Sequence, residues 1–331
     1  MENKKKKLFI HIGLHKTGTS SIQRFLHINR ESILLKDKIY YLPVPQDDIA
    51  PWQHRFLNKL MVENESEFYN YFEKNINVAD NFIISSECFV ENDIYREKLI
   101  TLSRFFDEMY VVVFLRRQDC WLESLYKQVV MYDHRIDFSF EKWIEIMLNG
   151  KYLYFDCNYL NTLNLWAGYF GKRNIIVIPY EDHVPGSNSV KVFCKKIGIN
   201  IGKTYKAEIY ENKSVNNREL LEIVRLTNKL LYIKWQHELI NYLVIENDTE
   251  GEINLVSKTN RDLILNNYKA MNSKIANEFT QHKCLFNDNH PKQLNWIPFK
   301  GISKINKIIV DEYLERKTGS RLFFNTINNT R

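Results

Sequence analysis

The sequence has little cysteine and no arrangement of residues typical of a metal site. It contains five cysteines in 331 residues, and no two of them form a C-x-x-C pair. It also has no H-E-x-x-H motif and no cluster of cysteine and histidine. We therefore expect reduced thiols that mostly fill the core, with neither a disulfide framework nor a bound metal. The cysteines are Cys88, Cys120, Cys157, Cys194 and Cys284.

Long apolar runs are absent as well. No apolar stretch reaches the roughly 18 residues that a membrane-spanning helix needs, so the sequence predicts no transmembrane helix. After the basic run at residues 4–7, the apolar run 8–12 is too short for the apolar region of a secretory signal peptide. We interpret the basic run as a solvated tail and expect a cytoplasmic protein.

The charge balance excludes few classes of protein, but it gives a weak preference for anionic ligands. The formal net charge is +6, which is modest for this length and does not by itself indicate nucleic-acid binding. It is compatible with an enzyme that handles anions. Hydrophobic residues make up 44% of the chain and aromatic residues 14%, enough for a sizeable core.

Short buried runs alternate with helical patterns through the first two thirds of the chain. The run 110–115 is the strongest strand pattern, and 8–12, 81–87 and 174–179 resemble it, with a shorter run at 38–42. This alternation predicts an α/β fold with a mostly parallel β-sheet flanked by helices. Further helices are predicted over 50–60, 65–75, 94–106, 119–131, 140–148, 159–169, 189–197, 219–231, 235–245, 262–279 and 304–314.

The pattern changes near residue 216, after which every periodic segment is helical. We interpret this part as a helical C-terminal cap packed on the α/β core, rather than as an independent domain. The expected organisation is a single domain, 1–331, with the core at 1–215 and the helical extension at 216–331. The loop 205–217 is the best candidate for a hinge or a ligand-covering segment.

The stretch 8–26 combines a strand, a glycine-containing turn and the start of a helix, which together make an anion site. Gly13 and Gly18 let the backbone approach a ligand closely, and Lys16 adds a positive charge. Lys16 precedes Gly18, so the stretch is not the Walker A pattern, in which the lysine follows the second glycine. The alternative is an ordinary turn with a surface lysine. Hydroxyl donors follow at Thr17, Thr19, Ser20 and Ser21.

A second candidate site begins where the strand 110–115 ends. Arg116 offers a planar fork suited to a phosphate, and Ser124 follows eight residues later. Ligands of open α/β sheets bind beyond the carboxyl ends of the strands, where this segment and the glycine turn both lie. Arg117 is an alternative to Arg116. Alternatively, Arg116 forms a surface salt bridge while Asp119 caps the helix.

The third candidate is Ser85-Ser86-Glu87, at the end of the strand 81–87. A carboxylate at this position can take a proton from a hydroxyl group. The alternative is that Glu87 forms an ion pair with Arg116 or Lys16, and Ser85 or Ser86 is a further possible donor. Weaker candidates are His11, His15, Trp52, His54, Arg55, Tyr126, Gln128, Tyr132 and the segment 212–214.

These three motifs, in this order, resemble the sulfotransferases that use 3′-phosphoadenosine-5′-phosphosulfate (PAPS). The glycine turn is similar to their 5′-phosphosulfate loop, G-x-x-K-[ST]-G-[ST], and Arg116 with Ser124 is similar to their 3′-phosphate element. The resemblance implies a P-loop-like sulfotransferase fold in which Lys16 and Glu87 are catalytic. It also implies that the cofactor is bound by His15, Lys16, Thr17, Gly18, Thr19, Ser20, Ser21, Arg116 and Ser124. The R-K-G triplet of the cytosolic small-molecule enzymes is missing, which leaves the late cofactor contacts open.

The resemblance implies transfer of a sulfuryl group from PAPS to a hydroxyl group, without a metal. Similarity to bacterial members favours a carbohydrate acceptor: a polysaccharide, lipopolysaccharide or glycolipid. A lipid-linked acceptor would allow peripheral membrane association, and no nucleic-acid partner is expected. The alternatives are a nucleotide-dependent kinase of P-loop type and a non-catalytic nucleotide-binding protein.

Overall fold

The structure is a computed structural model of the chain. It describes residues 5–46, 50–133, 135–180, 188–201, 205–206, 217–231, 233–243, 254–287 and 301–319. The strands are β1 (Lys7–His11), β2 (Ile39–Tyr41), β3 (Asn81–Ser85), β4 (Glu108–Arg116), β5 (Lys151–Tyr152), β6 (Phe155–Asp156) and β7 (Ile175–Tyr180).

Five of these strands form one parallel sheet in the order β2-β3-β1-β4-β7. The central strand β1 pairs with β3 on one side and with β4 on the other. Helices flank the sheet, so the prediction of a mostly parallel α/β fold is confirmed. A separate antiparallel pair, β5 and β6, forms a small hairpin that the sequence patterns did not predict.

The helices are α1 (Thr19–Ile28), α2 (Arg30–Asp37), α3 (Phe56–Glu63), α4 (Glu65–Asn75), α5 (Asp93–Ile100), α6 (Gln118–Tyr132), α7 (Phe140–Leu148), α8 (Tyr159–Phe170), α9 (Ser189–Ile197), α10 (Arg218–Thr227), α11 (Ile233–Ile240), α12 (Lys258–Phe279) and α13 (Lys304–Thr318). Short 3₁₀ helices cover Glu87–Val90, Thr101–Arg104 and Lys172–Asn174. The predicted helices 65–75, 140–148 and 189–197 match the structure at both ends. The predicted helix 94–106 is shorter, because α5 gives way to a 3₁₀ turn.

Capping side chains explain why several helices begin where they do. Asn64 accepts a hydrogen bond from the Glu67 N–H and starts α4. Asn188 accepts from the N–H groups of Val190 and Lys191 at the start of α9. Each cap satisfies backbone donors that have no partner inside the helix.

The buried strands alternate their side chains between the two faces of the sheet. Val112 and Phe114 of β4 belong to one apolar cluster with Phe193 and Ile197 of α9, and α1 packs against α9. Residues on β4 such as Val113 are also fully buried, and α8 packs on this strand. Because both faces are covered, β4 is apolar at nearly every position, as expected for a strand within a parallel sheet.

The chain divides into two compact units. The first contains Met1–Gln118, Gly150–Glu211 and Leu265–Lys292, and includes the whole parallel sheet. The second contains Asp119–Asn149, Asn212–Ile264 and Gln293–Arg331. The predicted organisation, with a boundary near residue 215, stays a prediction.

The second unit is helical over its described residues and has a core of its own. That core includes Ile223, Leu239 and Val310 from three different helices. Glu219 at the start of α10 accepts hydrogen bonds from the Ser303 N–H at 2.8 Å and from the Asn306 amide at 2.7 Å. This carboxylate therefore fixes the beginning of α13 against α10.

Across the residues that the structure describes, no helix is both long and apolar enough to span a membrane. In the same residues, no three histidine, cysteine or acidic side chains come together in a way that could hold a metal ion.

Candidate active site

The glycine turn lies at the carboxyl ends of three neighbouring strands. His11, the last residue of β1, is in register with Ser85 of β3 and with Val112 of β4. Beyond β1 the chain still follows β4, because the Leu14 N–H donates to the Phe114 carbonyl at 3.2 Å. The residues after β1 and β3 therefore meet at one edge of the sheet, where ligands of open α/β sheets bind.

The Leu14 carbonyl organises the turn from inside. The Thr17 hydroxyl donates to it at 2.6 Å and the Thr19 hydroxyl at 3.0 Å. Both threonine side chains are buried. Since these hydroxyl protons are used within the turn, the two threonines shape the loop and do not donate to an anion.

Lys16 has a left-handed backbone, with φ of 63°. This conformation costs a residue other than glycine about 1–2 kcal/mol. The Arg116 guanidinium, at the end of β4, donates to the Lys16 carbonyl at 3.1 Å and lies 5.4 Å from the centre of the Tyr180 ring. Arg116 therefore supports the backbone at the lysine.

Both glycines of the turn are required by their surroundings. Gly13 has φ of 93°, and a Cβ there would lie 3.1 Å from the Cβ of Glu87. Gly18 has φ of 76°, and a Cβ there would lie 2.6 Å from the Ser189 hydroxyl oxygen. Gly13 lets β3's polar end approach the turn, and Gly18 lets α9 approach it.

Helix α1 starts without any neutralising group of its own. Gly18 occupies its N-cap, no side chain accepts a hydrogen bond there, and no acidic residue lies in its first turn. The N–H groups of a first helical turn have no partner inside the helix, and the helix dipole makes this end positive. A bound anion would accept hydrogen bonds from these N–H groups and would be stabilised by the helix dipole. Ser20 and Ser21 lie in this first turn.

Glu87 and His15 face each other across the turn. The distance between the His15 Nδ1 and a Glu87 carboxylate oxygen is 3.5 Å, and that between the His15 Nε2 and a Glu91 oxygen is 3.6 Å. Burial alone would lower the pKa of His15, but the two carboxylates outweigh burial and raise it to about 9. His15 is therefore an imidazolium at neutral pH.

The same contacts keep Glu87 ionised. Burial favours its neutral form, but His15 first and then Lys16 outweigh that effect and lower the pKa of the carboxyl group. Its side chain remains 25% exposed, so a ligand can reach it. The Lys16 ammonium and the Glu87 carboxylate thus act on one another at the mouth of the turn.

A layer of neutral polar groups supports the end of β3 from below. The His11 Nδ1 lies 2.7 Å from the Ser85 hydroxyl, which also accepts a hydrogen bond from the Gln23 amide at 3.1 Å. The Ser85 N–H donates to the His54 Nδ1 at 3.1 Å. Burial lowers the pKa of His11 and of His54, each to about 3, so both rings are neutral.

Several other residues predicted for the site lie outside the glycine turn. Ser124 is half-buried in α6 and belongs to the second unit, whereas Arg116 belongs to the first. Arg117 is buried. The Trp52 ring packs under the Arg24 guanidinium, 4.1 Å from its centre. The segment 212–214 and most of the loop 205–217 lie outside the described residues.

Three residues beside the turn were not predicted: Glu91, Tyr154 and Phe155. Glu91 contacts His15 as described above. Phe155 packs edge-on against the His15 ring at 5.2 Å, and the Tyr154 ring is 5.7 Å away. The spacing of Glu87 and Glu91, four residues apart, was a usable signal for the first. The two aromatic residues come from the small hairpin, which carries no comparable signal.

Comparisons with known proteins give limited likenesses. No family model matches the chain. A protein from Archaeoglobus fulgidus, described as uncharacterized, is 29% identical over 210 residues, which are 62% of this chain and 55% of that protein. The match thus spans about half of that relative's length.

Two solved structures are similar in part. One is a sulfotransferase from Alicyclobacillus acidocaldarius, with a TM-score of 0.41 and 16% identity, covering 66% of this chain and 93% of that one. The other is mouse sulfotransferase SULT7A1 complexed with PAP, with a TM-score of 0.38 and 13% identity, covering 82% of this chain and 85% of that one.

Proposed function

We propose that the protein is a sulfotransferase that uses PAPS as donor and a hydroxyl group of a carbohydrate as acceptor. One observation carries the proposal: an anion-binding turn, an ammonium group and an ionised carboxylate meet at one sheet edge. These three groups suit the transfer of a sulfuryl group from an anionic donor to a hydroxyl. The turn binds the donor, Lys16 stabilises the leaving group, and Glu87 takes the proton.

The residues of the turn fit the 5′ end of the donor. The first turn of α1 lacks a side-chain cap, and Gly13 and Gly18 allow the close packing of Glu87 and Ser189 that shapes the turn. Backbone N–H groups from Thr17 to Ser20 would bind the 5′-phosphate, together with the hydroxyls of Ser20 and Ser21. The Ser21 N–H itself donates to the Gly18 carbonyl at 3.1 Å. The charge of His15 is matched by Glu87 and Glu91, so Lys16 is the cation of the turn that would act on the donor.

The 3′-phosphate is assigned to Arg116, as the resemblance implies, whereas Ser124, the other residue of that element, belongs to the second unit. Arg116 already contacts the Lys16 carbonyl, so the same side chain would connect the two phosphate-binding elements. Arg117 is buried, which favours Arg116 as the phosphate ligand.

The proposed chemistry is an in-line displacement at sulfur. The Glu87 carboxylate accepts the proton of the acceptor hydroxyl, while the acceptor oxygen bonds to sulfur. The bond between sulfur and the phosphate oxygen breaks, and its electron pair stays on that oxygen. Lys16 stabilises the charge that develops there. Positioning and electrostatic stabilisation supply most of the rate, as in phosphoryl transfer.

A carbohydrate acceptor fits the surroundings of Glu87. The Tyr154 side chain is 37% exposed beside His15, so an aromatic face is available next to the carboxylate that would activate a hydroxyl. Aromatic faces and carboxylates are suited to the apolar faces and hydroxyls of sugar rings. A cytoplasmic location and a lipid-linked acceptor belong to the same proposal.

The kinase alternative is less well supported by the residues at the sheet edge. A site for a nucleoside triphosphate needs a carboxylate that holds Mg²⁺ near the turn, and this carboxylate commonly lies at the end of a neighbouring strand. Of the two strands beside β1, β4 ends in Arg116, and β3 is followed by Glu87, which is paired with His15. In the turn itself Lys16 precedes Gly18, whereas the lysine of a nucleoside triphosphate loop follows the second glycine. A non-catalytic nucleotide-binding protein would not need Glu87 to be ionised and reachable.

A pair of lysine variants tests the proposal. Lys16→Ala should lower the rate of sulfuryl transfer from labelled PAPS to a glycan panel by roughly 100-fold or more, since one charge-stabilising donor contributes about that much. Lys38→Ala is the matched control, because Lys38 also has a left-handed backbone, with φ of 59°, and lies on the surface after α2. Equal activity of the two variants would contradict the assignment of Lys16.

A further inference from the structure

Glu91, His15 and Glu87 form a continuous chain of charged groups that ends at the proposed reaction centre. The His15 ring lies between the two carboxylates, at 3.5 Å from Glu87 and 3.6 Å from Glu91. The His15 side chain is 9% exposed, whereas each carboxylate side chain is 25% exposed. The charge in the middle is thus shielded from water, and the carboxylates at both ends are reachable.

The hairpin fixes the orientation of the ring. Phe155 contacts the His15 ring edge-on at 83° between planes, and Tyr154 lies at 33° to it. With the ring packed in this way, its Nδ1 lies 3.5 Å from Glu87 and its Nε2 lies 3.6 Å from Glu91. A fixed imidazolium holds the Glu87 oxygen beside it, in the way that a third group orients a catalytic base in other enzymes.

We propose that His15 and Glu91 are positioning residues, with Glu91 holding His15 and His15 holding Glu87 in the orientation that receives the acceptor's proton. This inference rests on the proposed function. It changes the role of His15, which the resemblance assigned to cofactor binding, and it assigns a role to Glu91.

Glu91 has a second effect because it shares the imidazolium charge. A carboxylate that is paired with an undivided positive charge is a weak base, since the pairing stabilises its ionised form. By taking part of that charge, Glu91 leaves Glu87 a stronger proton acceptor than a simple ion pair would. Loss of the Glu91 charge should therefore weaken both the hold on His15 and the basicity of Glu87.

The other titratable groups near Glu87, His15 and Glu91 do not change charge in the pH range where His15 titrates. Burial holds the pKa of His11 at about 3 and raises that of Cys88 to about 12, and burial also raises that of Tyr154. Between pH 6 and pH 10 these groups keep one charge state. The charged neighbours are Lys16, which acts on Glu87, and Arg55, which acts on Cys88 and Tyr154.

The test combines histidine NMR with a pH–rate profile for Glu91→Gln. In the wild type, the His15 resonance, assigned by its loss in His15→Gln, should titrate near pH 9, as its raised pKa requires. In Glu91→Gln its midpoint should fall by about one pH unit or more, because one of two carboxylates is gone. Both limbs of the kcat/KM profile should move to lower pH, with a loss of roughly tenfold at pH 8.

Glu73→Gln is the control, because it makes the same charge change at an exposed position on α4. It should leave the NMR midpoint and the rate profile unchanged. A His15 midpoint that is unaffected in Glu91→Gln, or a rate that drops equally at every pH, would show that Glu91 is merely structural and would overturn the inference.

Failure of the proposed function gives a different result. A shifted His15 midpoint without binding of adenosine 3′,5′-bisphosphate and without transfer would refute the sulfotransferase and, with it, the positioning role. Transfer together with a His15 midpoint near the ordinary value of about 6.5 would overturn the inference alone.

Discussion

His11 and His15 lie four residues apart, on either side of Gly13, and both are buried, yet their pKa values shift in opposite directions. The pKa of His11 is lowered to about 3 and that of His15 is raised to about 9. Burial acts on both in the same direction, since removing an ion from water favours the neutral ring. The difference comes from what each ring faces.

His11 faces neutral groups: the Ser85 hydroxyl and the rings of Phe114 and Phe193. His15 faces two carboxylates. At the end of β1, His11 therefore lies among neutral groups below the turn, whereas His15 lies within the turn and forms ion pairs. The comparison shows that a buried histidine in this molecule becomes charged where carboxylates on a neighbouring segment reach it.

The largest effect expected from this comparison is that of His15→Phe. At pH 6 the variant should lose about 3 kcal/mol of unfolding free energy, because it leaves two partly buried carboxylates without their shared partner. Urea denaturation followed by tryptophan fluorescence measures this loss. A loss below about 0.5 kcal/mol at pH 6 would mean that the ion pairs are as weak as surface ones.

The same variant also has a defined pH dependence. The raised pKa of His15 stabilises the folded wild type fully below about pH 6.5, and this stabilisation disappears as pH rises through about 9. The gap between wild type and His15→Phe should therefore be widest near pH 6 and should narrow toward pH 9.5. A gap of constant size would contradict the charged state of His15.

A smaller effect is expected for the matched variant, His11→Phe. Phenylalanine is larger than histidine by more than a methylene group at this fully buried position, and the hydrogen bond to Ser85 is lost, so the unfolding free energy should fall by about 2 kcal/mol. Because His11 is neutral at every pH above about 3, the loss should be the same at pH 6 and pH 9. A loss that varies between these values would mean that His11 shares the charge of the site.

Much of the fold could be predicted because its signals are local. The apolar run of β4 and the caps at Asn64 and Asn188 lie within a few residues of the elements they define. The hairpin of β5 and β6 was missed, because two-residue strands carry no periodicity. Helix α2 was missed for a related reason: it is short, and Ile33 is its one fully buried residue.

The site could be predicted only in part, because its chemistry depends on contacts distant in sequence. The positions of Lys16, Gly18 and Glu87 at neighbouring strand ends follow from the strand–turn–helix pattern. That Glu87 pairs with His15, rather than with Arg116 or Lys16, depends on side-chain directions across 72 positions of the chain. The inward-facing threonine hydroxyls likewise depend on the path of the Leu14 carbonyl.

The measurement that tests the central claim most directly is calorimetric titration of the wild-type protein with adenosine 3′,5′-bisphosphate and with 5′-AMP. If the turn and Arg116 hold a PAPS-type donor, the bisphosphate should bind at least about tenfold more tightly, a difference of about 1.4 kcal/mol. Equal affinity for the two nucleotides, or binding of neither, would contradict the account.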